Sequence, residues 1–324
     1  MRTHILYVER KPSEAVSIEK VFRQLAKSLS ENDFTTAFQK LEYANDMFGT
    51  IKNLLLYRKK KADIYHITGH IHYIALVLPS NKTVLTIHDA GILHIRSGLR
   101  RYVLKKLLFD LPIRKLKFIT AVSEATKSEI VYYTKCPESK IRVVENPLQE
   151  HFYTTGKKKF NQKCPTILQI GTTANKNLEN LFKALEGVNC RLKIIGELSV
   201  EMKNLLNEKK IVHEMKSNLN DEEIKREYVD ADIVSFCSTF EGFGLPIIEA
   251  QAMMTPVITS NISPMKEVAG DAAAFADPTD YKSIRHGILE IIDNEDYRAT
   301  LVKNGLKNIK KYKSEIISAA YTDI

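Results

Sequence analysis

The stretch Asp232-Ile-Val-Ser-Phe-Cys-Ser-Thr-Phe-Glu-Gly-Phe-Gly-Leu-Pro-Ile-Ile-Glu249 decides the fold, because it joins a strand, a tight turn and a helix start. Its apolar first part is typical of a buried strand. Gly242 and Gly244 allow the backbone to come close to a ligand, and Pro246 suits the first position of a helix. A buried strand followed by such a helix is the unit from which parallel sheets are built.

Short β-branched runs alternate with longer helical patterns along the whole chain. The first series of predicted strands covers 5–8, 64–68, 83–87, 118–122 and 141–144. The second series covers 166–170, 191–195, 211–215, 233–236, 257–259 and 273–275. Strands separated by helices indicate parallel sheets. We therefore predict an α/β protein of two doubly wound, Rossmann-like domains that face a cleft, with the ligand beyond the carboxyl ends of the strands.

The pattern restarts after Asn146-Pro147, and this restart divides the chain. We predict a first domain over 1–150, a linker without apolar periodicity over 151–163, and a second domain over 164–309. The helical stretch 310–324 is expected to pack back on the first domain.

Length and cysteine usage exclude several classes of protein. The chain has 324 residues, and single cores rarely grow beyond roughly 250–300 residues. Its four cysteines form no C-x-x-C pair, which disfavours a disulfide scaffold or a cysteine zinc site and favours a cytoplasmic location. The longest apolar stretch, 71–79, is too short to cross a bilayer.

Positive charge is concentrated in the first half of the chain. Residues 1–150 carry 25 Lys and Arg against 15 Asp and Glu, whereas 151–324 carry 23 against 24. The densest basic cluster comprises Arg96, Arg100, Arg101, Lys105, Lys106, Arg114, Lys115 and Lys117. No nucleic-acid-binding motif accompanies it, so no nucleic-acid partner is expected. Its charges do not gather on one helix face, which favours surface contact with anionic lipid over insertion; a solvated basic face is the alternative.

Two carboxylates bracket the turn in the opening stretch. The amino end of a helix offers N–H groups and a positive dipole end, which suit a phosphate. Glu241 precedes the turn and Glu249 is expected in the first helical turn, so both would face one small volume. Because carboxylates accept hydrogen bonds from vicinal hydroxyls, a sugar and a ribose would explain them. Alternatively, Glu249 only complements the helix dipole and Glu241 is a solvated loop residue.

These residues resemble a known family. Glu241-Gly-Phe-Gly-Leu-Pro-Ile-Ile-Glu249 resembles the E-x7-E motif of retaining glycosyltransferases of the two-Rossmann (GT-B) architecture, in particular glycosyltransferase family four (glycosyl transferases group 1) of the bacterial polysaccharide type. Further collinear segments resemble that family over nearly the whole chain: Thr86-Ile-His-Asp89, Ala121-Val-Ser-Glu124, Val144-Glu-Asn-Pro147, Ile170-Gly-Thr-Thr-Ala-Asn-Lys-Asn-Leu178, Pro256-Val-Ile-Thr-Ser260 and Glu267-Val-Ala-Gly-Asp-Ala-Ala273.

The resemblance implies a role for each matching residue. Glu241 would contact the hydroxyls of the donor sugar, Glu249 would bind the ribose, and Lys176 would neutralise the departing diphosphate. His88 would face the donor sugar and its β-phosphate, and it completes a catalytic set with Glu241 and Lys176. The remaining donor-binding positions are Gly171, Thr172, Gly242, Phe243, Gly244, Leu245 and Ser123. The alternatives are that Lys176 is a surface lysine, that His88 is a packed histidine, and that Ser123 only caps a helix.

Two features depart from the family. The loop after the first strand has no glycine, so a backbone phosphate cradle is not expected there, and Arg10 and Lys11 are assigned to acceptor or donor phosphate. The family's usual arginine is missing from the segment 172–175.

The acceptor or membrane side further includes Arg100, Arg101, Lys105 and Lys106. Asp230-Ala-Asp232 superficially resembles a D-x-D metal motif; we interpret it as structural and expect no metal or cofactor.

The resemblance therefore predicts a metal-independent retaining hexosyltransferase. Its donor would be a UDP- or GDP-sugar, and its acceptor a glycan or lipid-linked glycan in the synthesis of lipopolysaccharide or another cell-surface polysaccharide. The enzyme would work in the cytoplasm, peripherally on the inner face of an anionic membrane. The alternatives are a sugar-nucleotide epimerase or a glycan phosphorylase on the same fold, and a non-catalytic homologue retained for assembly.

Overall fold

The computed structural model describes residues 2–11, 17–31, 34–95, 97–153, 156 and 159–324. The chain forms two compact units. Unit 1 comprises Met1–Gln149 and Tyr312–Ile324, and unit 2 comprises Glu150–Lys311. Arg96 of the predicted basic cluster and positions 154, 155, 157 and 158 of the predicted linker lie outside the described residues.

Unit 1 is built on a six-stranded parallel sheet with the strand order β2-β1-β3-β4-β5-β6. Its strands are β1 (Thr3–Glu9), β2 (Phe34–Lys40), β3 (Ile64–Ile67), β4 (Thr83–Ile87), β5 (Phe118–Ala121) and β6 (Ile141–Val143). Its first six helices are α1 (Ser17–Ser30), α2 (Met47–Leu56), α3 (Gly91–Ile95), α4 (Gly98–Lys105), α5 (Leu111–Lys115) and α6 (Glu124–Thr134). A 3-10 helix covers His72–Val77, and a π-helical turn, Lys106–Asp110, joins α4 to α5.

The chain path places these helices on two faces of the sheet. The connection from β1 to β2 runs in one direction along the sheet, and every later connection runs in the other. Because crossovers between parallel strands are right-handed, α1 lies on one face and α2, α4, α5 and α6 lie on the opposite face. The sequence analysis predicted no strand over 34–40, because β2 is a partly exposed edge strand without a buried apolar run.

Unit 2 is built on a second six-stranded parallel sheet with the order β12-β11-β10-β7-β8-β9. Its strands are β7 (Thr166–Ile170), β8 (Arg191–Ile195), β9 (Val212–Lys216), β10 (Ile233–Phe236), β11 (Val257–Ser260) and β12 (Ala274–Ala276). Its helices are α7 (Leu178–Leu185), α8 (Val200–Glu208), α9 (Asp221–Asp230), α10 (Leu245–Ala252), α11 (Met265–Ala269), α12 (Tyr281–Asp293) and α13 (Glu295–Asn308). The prediction of two doubly wound, Rossmann-like sheets is confirmed.

The last helix, α14 (Ser314–Thr322), returns to unit 1 and packs on α1. Ser318 Oγ lies 3.0 Å from Ser28 Oγ, and Tyr321 Oη lies 3.1 Å from Thr86 Oγ1 of β4. The predicted return of the terminal helix to the first unit is therefore confirmed. Within the described ranges, no helix combines the length and the apolar character needed to cross a bilayer.

Asp232 ties the start of β10 to two other backbone segments. Its side chain is buried, with Oδ1 accepting a hydrogen bond from the Asn161 N–H at 3.0 Å and Oδ2 accepting one from the Thr166 N–H at 2.8 Å. Both carboxylate oxygens therefore accept a hydrogen bond from a backbone N–H group of another segment. Such contacts give the second Asp of the D-x-D sequence a structural role.

We expect Asp232→Ala to lower the free energy of unfolding by about 2–4 kcal/mol, because two backbone N–H groups lose their acceptor. Asp230→Ala is the matched control: its carboxylate is mostly exposed and lies 3.7 Å from Lys193 Nζ, so its loss should cost below about 1 kcal/mol. Urea unfolding followed by circular dichroism measures both. Equal stability of the two variants would contradict the structural role of Asp232.

Candidate active site

The loops that follow β7 and β10 meet at the carboxyl edge of the unit 2 sheet, where these two strands are neighbours. Lys176 comes from the first loop and Glu241 from the second, and Lys176 Nζ lies 2.5 Å from Glu241 Oε1. Both side chains are only 15% exposed, so water screens this ion pair less than a surface pair. The resemblance assigned the two residues to different parts of a donor; the structure places them in direct contact.

Two asparagines of the first loop fasten the same loops together. Asn175 Nδ2 donates hydrogen bonds to Glu241 Oε1 at 3.1 Å and to the carbonyl of Phe240 at 2.9 Å. Asn177 Nδ2 donates to the carbonyl of Cys237 at 3.0 Å. The sequence analysis gave neither residue a role. Asn177 has φ 60°, and the tolerance of asparagine for this left-handed conformation is the signal that could have marked it.

Lys176 is also confined by an aromatic ring and by a glycine. Its Nζ lies 4.4 Å from the centre of the Phe236 ring, within the range of a cation–π interaction. Gly171 has φ 83°, and a Cβ at this position would lie 2.9 Å from Lys176 Cε. The left-handed backbone conformation therefore favours glycine at 171, and a side chain there would displace the end of the lysine side chain.

Helix α10 begins one residue before Pro246. Gly244 precedes the helix with φ 111°, and a Cβ there would lie 3.0 Å from Ile247 Cδ1. Leu245 is therefore the first helical residue, so the prediction of Pro246 at that position was wrong by one residue. For the same reason Glu249 lies in the second turn of the helix. The sequence analysis had placed it in the first turn. The left-handed conformation of Gly244 lets the chain enter the helix this early.

Glu249 lies against a buried tyrosine of α9. The Tyr228 hydroxyl donates a hydrogen bond of 2.5 Å to Glu249 Oε2, and Tyr228 is fully buried. Burial, and then the charge of Glu249, raise the pKa of Tyr228 well above its usual value, so the hydroxyl keeps its proton. Glu249 is therefore held by a buried donor, and its carboxylate does more than complement the dipole of α10.

The other predicted donor-binding positions of unit 2 lie in the same two loops. Thr172 is half-buried, and a Cβ at Gly196 would come within 2.8 Å of its Cγ2. Phe243 is buried, whereas Gly242 and Leu245 are half-buried. These positions follow β7 and β10, whose carboxyl ends are neighbours in the sheet, and their contact with a donor stays a prediction.

In unit 1, His88 follows β4 and is almost completely buried. Its Nε2 has no hydrogen-bond partner in the described part of the chain. Burial, and then the neighbouring His70 and His72, lower its pKa well below the usual value, so the ring is neutral. A neutral imidazole with an unused nitrogen retains the capacity for one hydrogen bond to a ligand.

Three other predicted residues of unit 1 have different surroundings. Ser123 Oγ accepts a hydrogen bond from the Thr126 N–H at 3.1 Å and so caps α6, the structural alternative considered for it. Arg10 Nε donates to Glu19 Oε1 at 2.7 Å, so a carboxylate of α1 balances its charge. Lys11 is exposed. Contacts of Ser123, Arg10 and Lys11 with a substrate stay predictions.

The predicted acceptor or membrane residues near α4 are Arg100, Arg101, Lys105 and Lys106. Two of these cations are ion-paired within unit 1. Lys105 Nζ and Lys106 Nζ lie 2.9 and 3.1 Å from the carboxylate of Asp110, which is buried. This segment therefore presents less positive charge to a partner than its sequence suggests.

No group of three or more His, Cys, Asp or Glu side chains within the described ranges is arranged to hold a metal ion. The candidate site of unit 2 instead consists of one ammonium, two carboxylates, two asparagine amides and the amino end of α10. Such a set suits a ligand that carries both phosphate and hydroxyl groups.

Comparison with known proteins covers both units. Residues 154–308 match the family described as "Glycosyl transferases group 1", and residues 20–151 match "Glycosyltransferase Family 4". The structure is similar to that of a protein from Anabaena, HepE, in complex with UDP and glucose. The TM-score is 0.78 at 13% identity, and the match covers 99% of each chain.

Two polysaccharide glycosyltransferases are similar in sequence. The capsular polysaccharide biosynthesis glycosyltransferase CapM of Staphylococcus aureus is 27% identical over 84% of this chain and 79% of its own length. The O-antigen chain mannosyltransferase B of Escherichia coli is 37% identical over 29% of this chain, which spans only 25% of that relative. The two family matches together cover most of both units. The chain belongs to glycosyltransferase family 4, among the group 1 glycosyl transferases, and is an enzyme of this retaining hexosyltransferase family.

Proposed function

We propose that this protein transfers a hexose unit from a nucleotide diphosphate sugar to a glycan or lipid-linked glycan acceptor. The observation that carries the proposal is the Lys176–Glu241 ion pair in the unit that also presents the amino end of α10. An ammonium and a helix amino end suit a diphosphate, and a carboxylate suits sugar hydroxyls. One region of unit 2 thus offers partners for both sides of the sugar–phosphate bond.

We place this transfer in the synthesis of a cell-surface polysaccharide. CapM is named for capsular polysaccharide, and the mannosyltransferase of Escherichia coli for an O-antigen chain. A UDP- or GDP-sugar is the donor class, and both share the diphosphate and ribose assigned to Lys176, α10 and Glu249. The excess of basic residues in 1–150 supports peripheral contact of the enzyme with the inner face of an anionic membrane.

The proposed reaction keeps the anomeric configuration by attack from the face of the leaving group. The acceptor oxygen forms a bond to the anomeric carbon while the bond from that carbon to the β-phosphate oxygen breaks. The acceptor proton passes to the leaving diphosphate, so no metal or protein base is required. Lys176 stabilises the negative charge that grows on the diphosphate, and His88 is assigned to a hydroxyl of the donor sugar.

Without a donor, Lys176 and Glu241 neutralise one another. Donor binding would exchange this pair for two others, because the diphosphate attracts the ammonium and the sugar hydroxyls donate to the carboxylate. Phe236 and Asn175 hold the two side chains in place for this exchange. The ion pair therefore keeps both groups oriented at the cost of some affinity for the diphosphate.

Substitution of the two partners should have different effects on binding. Lys176→Ala should lower the transfer rate at least tenfold and weaken nucleoside diphosphate binding, because it removes a positive charge from the leaving group. Glu241→Gln should also slow transfer, but it should tighten nucleoside diphosphate binding, because Lys176 loses its competing carboxylate. Nucleotide-release kinetics and calorimetry measure the two effects.

Lys183→Ala is the matched control, because Lys183 lies on the exposed side of α7 and pairs with Glu179 one turn away. Its transfer rate and binding should equal those of the wild type. Near-normal turnover of both Lys176→Ala and Glu241→Gln, or weaker nucleoside diphosphate binding by Glu241→Gln, would contradict the proposed exchange.

Tyr228 should position Glu249 for the ribose. Tyr228→Phe keeps the buried ring and removes the hydrogen bond to the carboxylate, a contact of the kind worth about 1.5–3 kcal/mol. We expect the donor KM to rise at least about tenfold while kcat changes little. Because the pKa of Tyr228 is raised well above its usual value, this effect should be constant through neutral and mildly alkaline pH.

Tyr297→Phe, on α13, is the control for loss of a tyrosine hydroxyl from the same unit, and its donor KM should not change. A parallel fall in kcat and thermal stability of Tyr228→Phe, with an unchanged donor KM, would assign Tyr228 a structural role only.

A panel of UDP- and GDP-sugars, including UDP-glucose and GDP-mannose, tests the proposed function directly. A cognate donor at 100 times its Kd should stabilise the protein by about 2.7 kcal/mol, which thermal shift detects. Transfer should release nucleoside diphosphate only when an acceptor is added. Interconversion of sugars with the nucleotide still attached would indicate an epimerase, and dependence on inorganic phosphate would indicate a glycan phosphorylase.

A further inference from the structure

Helix α2 exposes most of its apolar side chains and buries a glycine, a threonine and an asparagine. Gly49, Thr50 and Asn53 are buried, whereas Met47, Phe48, Ile51 and Leu55 are 50–78% exposed. At about 100° per residue, the four exposed side chains share an arc of roughly 100° on the side opposite the buried ones. We call these four residues the α2 apolar face. A single exposed apolar residue is common, but four on one face of a helix mark an interaction surface.

The buried side of α2 shows that this orientation is fixed. Asn53 Nδ2 donates hydrogen bonds to the Tyr43 carbonyl at 3.2 Å and to Tyr73 Oη at 3.0 Å. Asp46 caps the helix by accepting a hydrogen bond from the Gly49 N–H at 2.7 Å. A Cβ at Gly49 would lie 2.0 Å from the Ala44 carbonyl oxygen, so only glycine allows this close approach. Rotation of the apolar face inward would break all of these contacts.

A run of four basic residues follows α2 directly. Arg58, Lys59, Lys60 and Lys61 are all exposed, and no carboxylate of the described residues pairs with them. Gln39 of β2 holds their backbone, because its Nε2 donates to the Arg58 carbonyl at 2.8 Å and its Oε1 accepts from the Lys60 N–H at 3.3 Å. The segment 47–62 contains five basic residues and no acidic one. This basic run is therefore both charged and anchored.

The surface extends toward α4 and α5 on the same face of the sheet. Helices α2 and α5 both pack against the 3-10 helix His72–Val77. Helix α4 also exposes three apolar side chains, those of Leu99, Tyr102 and Val103. Apolar and basic side chains thus occur together over this face of unit 1.

We propose that the α2 apolar face and the basic run 58–61 form a docking surface for an anionic lipid bilayer. The apolar side chains insert at the boundary of headgroups and acyl chains, and the basic run contacts the headgroups. This inference deepens the proposed function and rests on it for the biological reason, a lipid-linked acceptor. It moves the membrane contact from the predicted cluster near α4, where Lys105 and Lys106 are paired with Asp110, to α2.

Charge favours lipid over a second copy of the chain as the occupant. A second α2 would bring its own five basic residues against the first set, with no acidic residue between 47 and 62 to balance them. An anionic bilayer supplies the opposite charge and the apolar phase together. Purely electrostatic contact would leave the α2 apolar face unused.

The absence of tryptophan from the chain allows a direct test of insertion. Phe48→Trp creates a single reporter on the α2 apolar face, and Ile316→Trp creates one at an exposed position of α14, which packs on α1 on the other face of the sheet. With vesicles of phosphatidylcholine and phosphatidylglycerol, the emission of Phe48→Trp should shift to shorter wavelength and be quenched by brominated acyl chains. The emission of Ile316→Trp should not change.

Substitutions separate the apolar and charged contributions. Phe48→Asp with Leu55→Asp, and Lys59→Gln with Lys60→Gln and Lys61→Gln, should each reduce co-sedimentation with these vesicles at least about tenfold. The control for charge is the triple change Lys303→Gln, Lys307→Gln and Lys310→Gln, three exposed lysines of unit 2, which should retain binding. Circular dichroism and thermal unfolding confirm that each variant is folded.

Other outcomes would overturn the proposal. These are equal binding to vesicles of phosphatidylcholine alone, equal emission shifts at positions 48 and 316, or full binding by the variants of α2. An emission shift that depends on protein concentration without lipid would assign the face to a second copy. Vesicle binding is measured without donor, and nucleotide release is measured with a soluble acceptor, so failure of the docking surface is distinguishable from failure of the proposed transfer.

Discussion

The Lys176–Glu241 ion pair connects the loops after β7 and β10, and the candidate site of unit 2 depends on that contact. Neighbouring parallel strands bring their carboxyl ends to one edge, but they do not fix the loops that follow. The ion pair, the two asparagines and the Phe236 ring supply that constraint. A cation and a carboxylate are thereby held together, and in the proposed transfer this would lower the ordering cost of donor binding.

The fold and the position of the turn before α10 were largely predictable, because both depend on local signals. Buried strands appear as β-branched runs, and the turn before α10 needs Gly244. Contacts between distant segments leave no such signal. The hydrogen bond from Tyr228 to Glu249 joins residues on two helices, and the pairing of Lys176 with Glu241 joins residues 65 positions apart. Neither contact follows from periodicity or from a motif.

Strand β2 was missed, and the exposed apolar face of helix α2 was not expected, for a related physical reason. Sequence patterns assume that apolar residues face a core, and α2 reverses this rule by burying Asn53 and exposing Leu55. Strand β2 is a partly exposed edge strand, so its pattern lacks a continuous apolar run. The error is informative, because a segment that contradicts the core pattern while its buried polar groups are satisfied indicates an interaction surface.

The positive charge of the first half of the chain has more than one role, and only part of it is available to a partner. Arg10 is paired with Glu19, and Lys105 and Lys106 share the one carboxylate of Asp110, so these cations contribute in part to the internal structure of the unit. The run 58–61 has no such partner among the described residues, and it follows a helix that exposes Met47, Phe48, Ile51 and Leu55. Net charge therefore indicates a binding surface only after the paired cations are left out. When they are left out, the favoured membrane contact changes from the cluster near α4 to α2 and the basic run 58–61.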